Sequence, residues 1–238
     1  MLNVFDIGII LLLVMFIIVG FKNGAIRELF ALVGIIVVFV LSYSLKGILG
    51  NILCIVLPFF KITGVVEGLS VMNILLYQAI AFMIVFAILL TLYEILLKVS
   101  KFIQKIVNLT IILILPSKIL GGIIAFVKGW IVLFAVFLCL MIPLKNTELF
   151  TSSTMVNKII YNTPVLSSHS SNFINSVEEI YNLGKQLSNK EISKNEANLK
   201  TLDLMLKHKI VDKSTVEQLV KLHKLDDVSN IESVLNKY

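Results

Sequence analysis

Two cysteines, four prolines, one tryptophan and three histidines in 238 residues leave little material for several common chemistries. Cys54 and Cys139 sit in apolar runs without the spacing of a metal or redox motif, so they read as small packed hydrophobes. His169, His208 and His223 are scattered and lack a ligand pattern, so neither a metal nor a cofactor is expected. Charge is scarce as well, at 15% of residues against about 25% in an ordinary soluble domain. Hydrophobic residues take its place at 58%, where roughly 45–50% is usual, and a soluble globule cannot hide that excess.

The charges are unevenly spread. Residues 1–144 hold nine basic and four acidic side chains, whereas residues 145–238 hold twelve and eleven. The net charge of +6 therefore divides into +5 and +1, so the basic excess belongs beside lipid and argues against a nucleic-acid partner. The first apolar run has neither the basic start nor the small-residue cleavage site of a signal peptide and is expected to be retained. Leu2 after Met1 also lacks the N-terminal lipidation pattern.

About 20 apolar residues cross a bilayer as a helix. Four runs qualify: Phe5 to Phe21, Leu29 to Leu45, Val71 to Leu97, and Ile119 to Ile142, the last stopping at Pro143. The stretch from Lys46 to Ser70, punctuated by Gly47, Gly50, Pro58, Gly64 and Gly68, does not make a clean span and is expected to be interfacial or partly re-entrant. From Lys98 to Lys118, lysines at 98, 101 and 105 alternate with apolar residues as on an amphipathic helix at a basic interface, which Pro116 ends. Lys22, Arg27, Lys98, Lys101, Lys105 and Lys118 flank the first and third connections, against Lys46 and Lys61 in the second. This places the first and third connections in the cytoplasm and both termini outside.

The expected fold is all-α: a polytopic membrane protein of four transmembrane helices plus interfacial helices and a helical C-terminal tail. Residues 1–144 form the transmembrane domain, 145–170 a turn-rich linker, and 171–238 a helical soluble tail. Apolar periodicity in the tail runs through Phe173, Val177, Ile180, Tyr181 and Leu183, then Leu199, Leu202, Leu206 and Ile210, then Val216, Leu219, Val220 and Leu222. Three short helices follow from it. Asp212 or Ser214 is placed to cap the third, with Glu217 in capping-box position after Ser214.

Two constellations stand out in the apolar part. Gly20 and Gly24 lie four apart beside the Arg27-Glu28 pair in the first hairpin. Gly121, Ala125 and Gly129 stack every fourth residue in the fourth span, with Gly122 beside them, a small-residue stripe for close helix packing. Lys128 falls nine residues past Ile119, roughly 13 Å inside, where an ionisable group needs a partner or an aqueous path. Glu28 and Glu94 are both at its level. Arg27, Glu28, Glu94 and Lys128 are therefore the candidate functional charges.

These stretches resemble the colicin V production protein (CvpA) family of bacterial inner-membrane proteins, over about residues 1–145. The matching positions are Gly20, Gly24, Arg27 and Glu28 in the hairpin, and Leu120, Gly121, Gly122, Lys128 and Gly129 in the fourth span. Members commonly carry an aspartate just before the basic residue of the second motif; here Ser117 precedes Lys118. The resemblance implies four transmembrane helices in a bacterial inner membrane, and an association with bacteriocin production or export and envelope maintenance.

A positioned nucleophile with an oxyanion hole cannot be read from loose serines such as Ser167 and Ser168, so catalysis is not expected. The expected role is a membrane scaffold or accessory subunit, in contact with the bilayer and recruiting a membrane or envelope protein through the tail. Homo-oligomerisation is compatible with the glycine stripe. The alternative is a small transporter or channel component with a charged path near Lys128.

Overall fold

The computed structural model describes residues 3–99 and 114–238. Its described residues are 78% helical and contain no strands. The helices are α1 (Val4–Asn23), α2 (Ala25–Val56), α3 (Met72–Val99), α4 (Ile114–Leu144), α5 (Glu148–Thr151), α6 (Thr154–Asn162), α7 (Leu166–His169), α8 (Ser171–Ser188), α9 (Lys194–Lys207), α10 (Lys213–Lys221) and α11 (Ile231–Leu235). The first four are long and apolar enough to cross a membrane, as the hydropathy of the sequence predicts.

Helix ends follow local chemistry. Asn3 and Asp6 close a capping box at the start of α1, satisfying backbone donors that the first turn leaves open. Gly24 ends α1 at φ +82°, a conformation suited to glycine, and α2 starts at the next residue. The α1–α2 connection is therefore a one-residue turn.

Two expectations change. The helix of the second span does not stop near Leu45: α2 continues through Lys46, Gly47 and Gly50 to Val56, so only residues 57–71 break the helical backbone between α2 and α3. Gly47 would be free to hold a side chain, and Gly50 is occupied by the Gln78 amide lying on it, so neither glycine marks a turn. Pro116 lies in the first described turn of α4. Pro143 lies inside the last turn of the same helix. The basic segment with Lys101 and Lys105 lies outside the described residues.

The chain forms two compact units. One comprises Met1–Tyr43, Ile84–Leu138 and Thr147–Thr163; the other comprises Ser44–Met83, Cys139–Asn146 and Pro164–Tyr238. In the first, Phe39, Phe134 and Ala125 are fully buried beside Ile9, Leu13 and Ile35, and Val156, Ile159 and Ile160 bury the inner face of α6. Much of the remaining apolar surface of α1 and α2 is exposed, including Leu11, Met15, Leu29 and Val33, as lipid-facing positions require. Residues 145–170, expected as a linker, carry three short helices, α5 to α7.

In the second unit the 57–71 connection is held by tail residues. Asn198 donates to the Gly68 carbonyl at 2.9 Å and accepts from the Val71 N–H at 3.2 Å, and Ser70 donates to Asp227 at 3.0 Å. The backbone at Val65 and Val66 lies on Gly184, where a Cβ would collide with it. The ammonium group of Lys224 donates to the carbonyls of Cys54, Ile55 and Leu57 at 2.8, 2.5 and 2.8 Å, closing the C-terminus of α2 with a cation. The tail has four helices in place of three, because α11 follows the predicted set. Asp212 is the N-cap of α10 but makes no side-chain cap bond; its carboxylate accepts from the Asn51 amide at 3.0 Å instead. Ser214 lies inside α10. Cys54 and Cys139 are buried free thiols.

Candidate functional site

The conspicuous charges of the membrane-spanning part converge in the first unit. Lys128 of α4 meets Glu28 of α2 at 2.5 Å. Glu28 is 1% exposed, and its other oxygen accepts from the Asn23 amide at 2.5 Å. Lys128 also lies 5.9 Å from the Phe16 ring centre, within cation–π range. Of the two expected carboxylate partners, the lysine takes Glu28. A cavity of about 360 Å³ opens beside this pair, with Arg27 and Glu94 on its lining together with Tyr93 and Leu90. Arg27 and Glu94 are exposed, and neither forms an ion pair among the described residues.

The small residues bring α1 and α4 together. A Cβ on Gly20 would collide with the Ala125 side chain and the Gly121 carbonyl, and one on Gly121 would fall 2.5 Å from the Gly20 carbonyl oxygen and 2.9 Å from Gly24 Cα. On Gly129 it would fall 2.7 Å from the Phe16 ring. Gly122 is looser, with Ile17 at 3.4 Å. This backbone-to-backbone approach sets the register that carries Lys128 to Glu28. Ser117 supports the same junction: its hydroxyl accepts from the Ala25 N–H at 3.1 Å, satisfying a free donor at the start of α2.

Several contributors carry no signal in the sequence. Tyr93 fills the space over Gly34 and donates to the Phe30 carbonyl at 2.5 Å. Asp6 is fully buried; it accepts from the Ser153 hydroxyl at 2.5 Å and the Met155 N–H at 2.9 Å, joining the start of α1 to the start of α6. Its pairing across 147 positions is set by tertiary contact alone. The histidines converge on nothing: His169 and His223 are exposed, and His223 pairs with neighbouring Asp226 at 3.1 Å. Among the described residues no group of three His, Cys, Asp or Glu side chains is placed to hold a metal ion.

Four apolar helices with an internal ion pair and a glycine-tight crossing define an all-α polytopic membrane protein. The model of the colicin V production protein family matches residues 5–164. The chain belongs to that family. The match runs past the fourth span and takes in α5 and α6, so these two helices are part of the family domain. No curated protein and no solved structure matches the chain.

Proposed function

We propose that this protein is a non-enzymatic scaffold or accessory subunit of the bacterial inner membrane, serving production or export of colicin V-like toxins and maintenance of the envelope. The observation that carries the reading is the α1–α4 contact, in which Gly20 and Gly121 meet backbone to backbone and Lys128 is engaged by Glu28. A membrane domain closed in this way suits a rigid platform. The distribution of loop lysines supports a tail outside the cytoplasm, where it offers the surface for an envelope partner. Crosslinking in intact cells followed by purification is expected to return one reproducible membrane or envelope partner. Recovery of a monomer or pure homo-oligomer that restores function alone would refute the scaffold role. A C-terminal reporter active on one side only tests the orientation.

The cavity lined by Arg27, Glu28, Glu94 and Lys128 favours the second reading, a small transporter or channel component with a charged path. On that reading Lys128→Ala and Glu94→Gln proteins accumulate yet fail to rescue a deletion phenotype. Full rescue by both removes it.

A further inference from the structure

Helix α6 is nine residues long and begins where α1 begins, with Ser153 and Met155 bonded to Asp6. Its far end is held elsewhere. The indole N–H of Trp130 donates to the Thr163 hydroxyl at 2.9 Å, and Gly129, the residue before this tryptophan, packs on the Phe16 ring. From Asp6 to Phe16 is ten residues of α1, roughly 15 Å at the helical rise. The opposite ruler agrees: Ser117 bonds the first residue of α2, and Trp130 lies thirteen residues beyond it, roughly 20 Å. Since α1 has 20 residues to cross the membrane and the hydrocarbon core is about 30 Å thick, the end of α6 lies near mid-membrane.

The outer face of α6 does not suit lipid. Val156, Ile159 and Ile160 are buried, whereas Thr154, Asn157, Lys158, Tyr161 and Asn162 are exposed and follow one another at spacings of three and one. That spacing puts them on a single stripe of the helix. On α1, over the same depth, the exposed residues are Leu11, Leu12, Val14 and Met15. Lys158 has no hydrogen bond or ion pair among the described residues, and α6 carries no acidic residue. The Asn157 amide donates to the Thr151 and Ser153 carbonyls at 3.0 and 2.9 Å, which leaves the Lys158 cation and the Asn162 amide at this depth requiring water or another polar surface.

We infer that α6 is a re-entrant half-helix whose polar stripe lines a water-filled vestibule. The vestibule enters the bilayer from the face that carries the N-terminus of α1 and admits small anions drawn by Lys158. It rests on the four-span topology and is independent of the scaffold role.

The test is thiol accessibility in native membranes, using single cysteines at Thr154→Cys, Lys158→Cys and Asn162→Cys on α6, and at Leu12→Cys and Met15→Cys on α1. A membrane-impermeant methanethiosulfonate is applied from each face in turn. All three α6 positions are expected to label from one face, at rates about tenfold or more above the α1 pair, because hydrocarbon excludes a charged reagent. At Asn162→Cys a sulfonate reagent is expected to outpace a trimethylammonium reagent by about threefold or more through the nearby lysine charge. Lys158→Gln should abolish that preference. Silence at Lys158→Cys and Asn162→Cys in protein that accumulates normally would overturn the vestibule, since a second copy or lipid then covers the stripe. Labelling of Leu12→Cys and Met15→Cys at equal rates would overturn it too, by placing this level outside the bilayer. Equal rates for the two reagents would overturn the anion selectivity. None of these readouts involves a partner or a toxin, so they are separable from the test of the proposed function.

Discussion

The first unit joins α1 to α4 through glycines that let the two backbones meet at Gly20 and Gly121, whereas the second holds its 57–71 connection with polar side chains, Asn198 and Lys224, reaching backbone groups. The difference follows from the surroundings. In lipid there is no hydrophobic drive between helices, so close van der Waals contact supplies the association and small residues are required. An irregular connection instead exposes unpaired N–H and C=O groups, which need donors and acceptors brought to them. One contact is therefore sensitive to side-chain size and the other to hydrogen-bonding capacity.

The sharpest way to break the first unit is to strand its buried charge. Glu28→Ala leaves Lys128 unpaired and is expected to cost about 3–5 kcal/mol, read from unfolding in detergent micelles, while Glu28→Leu with Lys128→Met recovers most of the loss. Gly121→Val comes next, at about 1–3 kcal/mol or more from overpacking. Gly47→Val, where nothing lies within reach of a Cβ, is the control with little effect. In the second unit, Lys224→Met removes three charge-assisted bonds to carbonyls at the end of α2 and is expected to cost about 1.5–3 kcal/mol. Lys224→Arg should be milder. An equal cost for Lys224→Met and Gly47→Val would erase the contrast between the units. Ser117→Ala is expected to cost about 1 kcal/mol, and Ser117→Asp to match or exceed the native stability.

The smallest effect concerns Tyr181, whose hydroxyl donates to the Ile142 carbonyl. Burial pushes its phenol up from 10.0 to about 12. A folded-state value above the unfolded one means the contribution is whole below pH 10 and fades as the pH rises toward 12. Native protein should therefore lose stability across that window, and Tyr181→Phe should show a shallower decline there after an initial loss of about 1 kcal/mol. Identical alkaline profiles for the two would place the phenol in water.

The long apolar runs made the four spans readable, because an 18-residue stretch of Ile, Leu, Val and Phe has few other homes. The glycine spacing announced a close crossing. The ends of helices were less legible. Gly47 and Gly50 look like punctuation, yet a helix already anchored in lipid absorbs two glycines without stopping. Pro143 looks like a terminator, yet it lies inside the last turn of α4. At the candidate site, the sequence pointed to Glu28 and Glu94 as equals for Lys128. The α1–α4 register, fixed by Gly20 against Gly121, selects Glu28.

Hydropathy and spacing by themselves determined an all-helical membrane protein with four crossings, a small-residue seam and a wet, helical C-terminal region. Those properties depend on the sum of many local preferences, each readable along the chain. Tertiary structure alone decided that Asp6 accepts from Ser153, that Trp130 donates to Thr163 and that Lys224 closes α2. Each of these rests on one side chain meeting polar groups far from it in the chain. A burial pattern does not encode such a pair, because its partners become neighbours only when the helices have packed.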